Sequence, residues 1–139
     1  MNQRILFVDD VADWRAMLSG LLTDQGYSVE SAESAADAMR ILGKTTFDIA
    51  IIDMRLDETD ERNIEGLTLV KSIKQKHPDM PVIILTGYGT LDTVAMAMKP
   101  DPKTRQRLVD RFVDKVNIAA LPENLRSVIT PGVSSVAPL

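Results

Sequence analysis

Three short stretches of the chain are continuously apolar, as strands are when both faces of a parallel sheet are covered. They are RILFVDD (residues 4–10), FDIAIID (47–53) and VIILT (82–86). Two further segments, YSVES (27–31) and RFVDKV (111–116), also indicate strands. The pattern therefore predicts five strands.

Apolar residues at helical spacing separate these strands. The predicted helices span residues 11–25, 34–43, 67–76, 91–99 and 122–130. Ser34 and Asp37 are expected to form a capping pair at the start of the second helix, and Gly26 and Gly43 end the first two helices. In the first helix, the apolar residues at helical spacing are Trp14, Met17, Leu18, Leu21 and Leu22.

The alternation of strands and helices predicts an α/β fold, a doubly wound five-stranded parallel sheet with helices on both faces. The chain has 139 residues, a length that suits one domain. We expect this domain to cover residues 1–130. Residues 131–139, PGVSSVAPL, are expected to form a C-terminal tail or linker.

Composition narrows the classes of function. The absence of cysteine excludes disulfides and thiolate metal sites, and a single histidine, His77, excludes a multi-histidine site. The net charge of −4 gives no reason to expect direct nucleic-acid binding. No apolar run approaches the roughly 20 residues of a membrane helix, and the N-terminus has acids where a signal peptide is apolar. We therefore expect a cytoplasmic protein with no membrane partner.

Polar side chains stand at the ends of three predicted strands. Asp9 and Asp10 end the first strand, Asp53 ends the third and Thr86 ends the fourth. The carboxyl ends of strands form the active crevice in sheets of this type, so these residues are expected to converge. Clustered carboxylates repel one another, and a hard cation relieves the repulsion. Mg²⁺ suits such a site best, because Ca²⁺ would want more protein ligands.

A carboxylate beside a metal ion can also be a nucleophile that forms an aspartyl phosphate. Lys115, at the end of the fifth strand, and Thr86 are placed to neutralise and hydrogen-bond phosphoryl oxygens. Each residue alone has a simpler explanation: Asp10 or Asp13 as a helix cap, Asp53 as a turn former and Lys115 as a solvated lysine. Their order at the ends of successive strands favours one shared site.

Four segments together resemble the receiver domain of two-component response regulators, and the resemblance covers about residues 3–130. They are ILFVDD with its acid pair, DIAIIDMRL with the phosphoacceptor position, PVIILTGYG with the switch hydroxyl and FVDK with the lysine. The resemblance implies a flavodoxin-like receiver fold, a histidine kinase or phosphotransfer protein as phosphodonor, and Mg²⁺ as cofactor.

The resemblance also implies a role for individual residues. Asp53 corresponds to the phosphorylated aspartate. The implied ligands of Mg²⁺ are Asp9, Asp10, Asp53 and the backbone carbonyl of Arg55. A protein of this kind is not an enzyme in the ordinary sense, although it catalyses its own phosphorylation and dephosphorylation.

Three further residues correspond to positions that, in the family, respond to phosphorylation. Lys115 pairs with the phosphoryl group, and Thr86 moves toward it. Phe112 corresponds to an aromatic residue that swings inward on activation, although a plain core residue of a strand is an equally good interpretation. The implied outcome is a change of affinity for a downstream protein or output domain.

The chain departs from the family pattern in three places. Extra residues lie near 57–63, with Asp57 where a proline is expected, and near 99–108. Val116 follows the lysine, where the family has a proline that is typically preceded by a cis peptide bond. A cis bond before a non-proline residue costs about 2.5–4 kcal/mol. A trans bond would move the chain near Lys115, so the placement of this lysine is the assignment most affected.

The second insertion is basic within an acidic protein. It can be a solvated loop or short helix, or it can be an altered surface for a partner or for a homodimer. Its basic residues, with one just beyond it, are Lys99, Lys103, Arg105, Arg107 and Arg111.

Two other functions remain open. A pseudo-receiver would keep the fold as an interaction or dimerisation module without being switched by phosphate, and the insertions and Val116 favour it. A magnesium-dependent phosphatase with an aspartyl nucleophile would want a second acid two residues after Asp53, where the chain has Arg55.

Overall fold

The computed structural model describes residues 3–53, 65–86 and 109–129. The predicted helix 91–99, both insertions and the tail 131–139 lie outside these ranges. Strands and helices alternate within them, as the apolar pattern predicts. The elements are β1 (Arg4–Val8), α1 (Ala12–Asp24), β2 (Ser28–Ala32), α2 (Ala35–Leu42), β3 (Ile49–Asp53), α3 (Glu65–Lys76), β4 (Val82–Thr86), β5 (Arg111–Asp114), a 3-10 helix (Lys115–Ala120) and α4 (Leu121–Ile129).

The five strands form one parallel sheet in the order β2-β1-β3-β4-β5. This is the flavodoxin-like order of a doubly wound fold, and it confirms the predicted sheet. The register pairs Val8 with Ile52, Asp53 with Leu85 and Thr86 with Asp114. The carboxyl ends of β1, β3, β4 and β5 therefore lie side by side along one edge of the sheet.

Each face of the sheet is covered by helices, because strand residues point alternately to the two sides. On one face, Leu18 and Leu22 of α1 and Leu121 and Leu125 of α4 are fully buried against the sheet. On the other face, α2 and α3 bury the residues Ala38, Ile41, Leu42, Leu69, Val70 and Ile73. None of the helices in the described ranges is long and apolar enough to cross a membrane.

The first two helices begin in different ways. Ser34 accepts a hydrogen bond on Oγ from the backbone N–H of Asp37 at 3.1 Å, which confirms the predicted capping pair. The simpler explanation of Asp10 or Asp13 as the cap of α1 does not hold, because no side chain caps this helix. The residue at the cap position is Val11, whose side chain has no hydrogen-bonding atom.

Not every apolar residue at helical spacing is buried: Met17 is 48% exposed, since α1 turns only part of its apolar stripe to the sheet. The predicted end of the fifth strand is wrong. The fifth strand ends at Asp114 and not at Val116, because its neighbour β4 ends at the paired residue Thr86. Lys115 is therefore the first residue of the 3-10 helix.

Candidate functional site

The acid pair and Asp53 meet where the strand order reverses. Asp9 follows β1, Asp53 ends β3, and β1 and β3 are neighbours from which the chain winds outward in both directions. In doubly wound sheets this switch point opens a crevice outside the carboxyl ends of the strands. The crevice is the candidate site, and the local sequence lines it with acids, because Asp9 follows one buried strand and Asp53 ends another.

Three carboxylates share this crevice. One oxygen from each of Asp9, Asp10 and Asp53 lies within 4.8 Å of the others. Asp9 is fully buried and Asp53 is 4% exposed, whereas Asp10 is partly exposed. Buried acids at such distances raise each other's energy when ionised, so the arrangement favours a cation between them.

Asp9 is held by contacts from four parts of the fold. Its Oδ1 accepts a hydrogen bond from the backbone N–H of Val11 at 2.9 Å. Its backbone N–H donates to the carbonyl of Ala32 at the end of β2, and its own carbonyl accepts from Nη1 of Arg15 at 2.7 Å. The remaining carboxylate oxygen, Oδ2, accepts from Nζ of Lys115 at 3.0 Å. The carboxylate is therefore fixed in one orientation.

Lys115 reaches both buried carboxylates. Its Nζ lies 3.0 Å from Oδ2 of Asp9 and 3.3 Å from Oδ2 of Asp53. Peptide bonds in the described part of the chain are all trans, including the bond between Lys115 and Val116. The departure from proline at Val116 therefore does not keep the lysine out of the crevice.

The donor set fits a magnesium ion. Carboxylate oxygens are the ligands that this hard cation prefers. The ammonium of Lys115 balances one of the three negative charges, and a divalent cation would balance the other two. Asp9, Asp10 and Asp53 are thus able to hold such an ion.

The structure describes the other predicted site residues, Thr86, Arg55 and Phe112, only in part. Thr86 ends β4 beside Leu85, the register partner of Asp53, and its side chain lies outside the described part of the structure, as does Arg55. Phe112 pairs with Ile84 and is partly buried against the apolar cluster beneath α2 and α3. That placement is consistent with both interpretations of Phe112.

A surface cavity of about 390 Å³ lies at the opposite edge of the sheet. It is lined by residues that precede β3 and β4, among them Phe47, Asp48 and Pro81, and by His77. The one histidine is therefore remote from the acid cluster, and the cavity is not part of the candidate site.

Sequence reasoning missed two residues of the site. The apolar pattern assigns Trp14 to the core, but its ring also lies under the ammonium of Lys115, with Nζ 4.7 Å from the ring centroid. The sequence pattern gives no role to Arg15, whose Nη1 donates to the carbonyl of Asp9. Their positions on the first turn of α1, directly after the acid pair, are the only signal that the sequence offers.

Comparisons with known proteins agree with this geometry. Residues 5–104 match the family model described as the response regulator receiver domain. The transcriptional regulatory protein GlrR of Escherichia coli (strain K12) is 42% identical over 92 residues, which make up 66% of this chain and 20% of GlrR. The chain spans about a fifth of the length of the curated relatives that it matches.

Two solved structures show the same fold. A CheY-like receiver domain protein from Methanospirillum hungatei JF-1 superposes with a TM-score of 0.80 at 24% identity, over 97% of this chain and 99% of that one. The response regulator protein TrrA from Thermotoga maritima has a TM-score of 0.71 at 26% identity, over 91% of this chain and 98% of that one. The TrrA structure is a complex with Mg(2+)-BeF.

Proposed function

The chain belongs to the response regulator receiver domain family, and on that premise we propose that Asp53 accepts a phosphoryl group with Mg²⁺ bound beside it. One observation carries the proposal. The buried carboxylate of Asp53 lies within reach of two further carboxylates and of the Lys115 ammonium, at the switch point of the sheet. A nucleophile, a cation site and a fixed positive charge are thus present together, as phosphoryl transfer requires.

The phosphodonor is a phosphohistidine of a histidine kinase or of a phosphotransfer protein. A carboxylate oxygen of Asp53 attacks the phosphorus, the bond from phosphorus to the imidazole nitrogen breaks, and the imidazole leaves with the electron pair. The product is an aspartyl phosphate. Lys115 is already 3.3 Å from the attacking carboxylate, so its ammonium is placed to pair with the oxygens of the incoming group.

The magnesium ion would be held by Asp9, Asp10 and Asp53 together with the backbone carbonyl of Arg55. When bound, it neutralises charge that develops on the transferred oxygens. The orientation of Asp9 is set before binding, because its Oδ1 is engaged by Val11 and its backbone by Ala32 and Arg15. TrrA, solved in complex with Mg(2+)-BeF, supports this assignment by similarity.

The output is a change in affinity for another protein or for an output domain. Thr86, beside Asp53 at the edge of the sheet, and Phe112, partly buried on the α2 and α3 face, are the residues that we propose respond to the phosphoryl group. Phe112 has room to change its burial because it is not fully enclosed.

The test is phosphorylation by a small donor. The protein is incubated with acetyl phosphate and MgCl₂, and its intact mass is measured. We expect an increase by one phosphoryl group that disappears in Asp53→Asn and in the presence of EDTA.

Asp48→Asn is the matched control. Asp48 directly precedes β3, the strand that ends with Asp53, and so lies at the other end of that strand from the candidate site. This variant should gain the phosphoryl group as the wild type does. Failure of the wild type to form any adduct would favour the phosphorylation-independent pseudo-receiver. Continuous hydrolysis of phosphate esters would instead favour the phosphatase.

A further inference from the structure

We propose that Trp14 is a positioning residue for Lys115, because its indole face holds the lysine ammonium against the carboxylates of the site. The inference rests on the proposed function, in which this ammonium pairs with the phosphoryl group on Asp53. Trp14 is the only tryptophan of the chain, so tryptophan fluorescence reports on the surroundings of this one ring.

The contact has the geometry of a cation–π interaction. Nζ of Lys115 lies 4.7 Å from the ring centroid of Trp14, inside the limit of about 6 Å at which the ring attracts a cation. Indole is the strongest aromatic partner for a cation. The lysine side chain is only 15% exposed, which weakens the screening of this attraction by water.

The ring is held in place by the protein core. Trp14 is partly buried against the apolar cluster that also contains Val113 of β5 and Leu121 of α4. Val113 precedes Lys115 by two residues, so one cluster positions both the ring and the strand end that carries the lysine. The distance between ring and ammonium therefore depends on the packing of α1 against the sheet.

The ring adds to the contacts that restrict the conformation of the Lys115 side chain. A lysine has a flexible four-carbon stem and loses much rotamer freedom when its ammonium is held at one point. Asp9 and Asp53 attract the ammonium by charge, and the indole face adds a third contact. Lys115 is thereby ordered before a phosphoryl group arrives, which removes part of the entropic cost of the transfer step.

The first experiment compares two substitutions of the ring. Phosphorylation by acetyl phosphate is timed by intact mass for the wild type, Trp14→Phe and Trp14→Leu, after thermal unfolding has shown that all three are folded. We expect Trp14→Leu to be slower by about three- to tenfold, and Trp14→Phe to keep most of the rate because it keeps a π face. Equal slowing of the two variants would show that the ring acts only by packing, and an unchanged rate in Trp14→Leu would likewise overturn the inference.

The second experiment needs no phosphorylation. The emission spectrum of Trp14 is recorded for the wild type and for Lys115→Leu, which removes the ammonium. The matched control is Lys71→Leu, which removes an exposed lysine from α3 on the other face of the sheet. We expect the intensity and emission maximum to change in Lys115→Leu alone. An identical spectrum in Lys115→Leu would overturn the inference.

The two experiments separate the inference from the function on which it rests. A wild type that forms no adduct contradicts the proposed function, while the emission of Lys115→Leu still decides whether the indole contacts the ammonium. A wild type that is phosphorylated, with Trp14→Leu equally fast, contradicts the inference and leaves the proposed function standing.

Discussion

Lys115 and Asp9 form an ion pair between Nζ and Oδ2 at 3.0 Å, across 106 residues of sequence. The pair joins the end of β5 to the end of β1, and these strands are separated in the sheet by β3 and β4. Asp9 is fully buried and the lysine side chain is 15% exposed. The contact therefore ties two distant parts of the chain together at the candidate site.

Lys115→Met should destabilise the protein, because it leaves two buried carboxylates without their ammonium. We expect the free energy of unfolding to fall by about 1–3 kcal/mol, the cost of losing the partner of a buried polar group. Urea unfolding measures this change. Lys44→Met, at an exposed position after α2, should stay within about 0.5 kcal/mol of the wild type. Equal stability of the two variants would mean that the ion pair contributes nothing to the fold.

Mg²⁺ should stabilise the folded protein, because the three carboxylates converge only in the folded state. At a hundredfold excess over the dissociation constant, binding adds about 2.7 kcal/mol to the free energy of unfolding. Thermal unfolding in MgCl₂ and in EDTA tests this. Asp9→Asn should lose most of the gain and Asp48→Asn should retain it, whereas an undiminished gain in Asp9→Asn would place the ion elsewhere.

Lys74 should make stability rise with pH in the alkaline range. Burial lowers the pKa of this lysine from its ordinary value of 10.5, and Asp110 and Asp79 oppose that shift. Its Nζ donates to the carbonyl of Met80 at 2.6 Å and lies 3.9 Å from Asp110. Since the folded pKa is below the unfolded one, the folded state releases its proton first, and stability increases between the two values.

The measurement compares the wild type with Lys74→Met by urea unfolding at pH 7 and at pH 10. The wild type should gain stability relative to the variant as the pH rises. Lys71→Met, at an exposed position of the same helix, serves to subtract the effect of losing a lysine charge from α3. A relative loss for the wild type would contradict the direction of the shift.

Ser34→Ala should lower the free energy of unfolding by about 1 kcal/mol, a typical cost for losing an N-cap. The hydroxyl accepts the hydrogen bond of the Asp37 N–H, which has no acceptor within the first turn of α2. Chemical denaturation gives the value. Ser28→Ala, at an exposed position of β2, controls for removal of a hydroxyl. A similar loss of unfolding free energy in both variants would show that the Ser34 cap does not stabilise α2.

The local parts of this protein follow from its sequence. Continuous apolar runs define β1, β3 and β4, and the helical intervals between them dictate a parallel sheet with covered faces. The cap of α2 is equally local, because Ser34 and Asp37 are three residues apart. The acids at 9, 10 and 53 are predictable as a cluster, since parallel strands end at one edge of a sheet.

The tertiary structure decides which groups touch inside that cluster. It brings Lys115 to both Asp9 and Asp53, leaves Met17 exposed and sets the Trp14 ring under the ammonium. These outcomes depend on how α1 packs against the sheet and on where β5 lies within it. A periodic pattern tells which face of an element is apolar, but the distance between two side chains on different elements arises only when the whole core is packed.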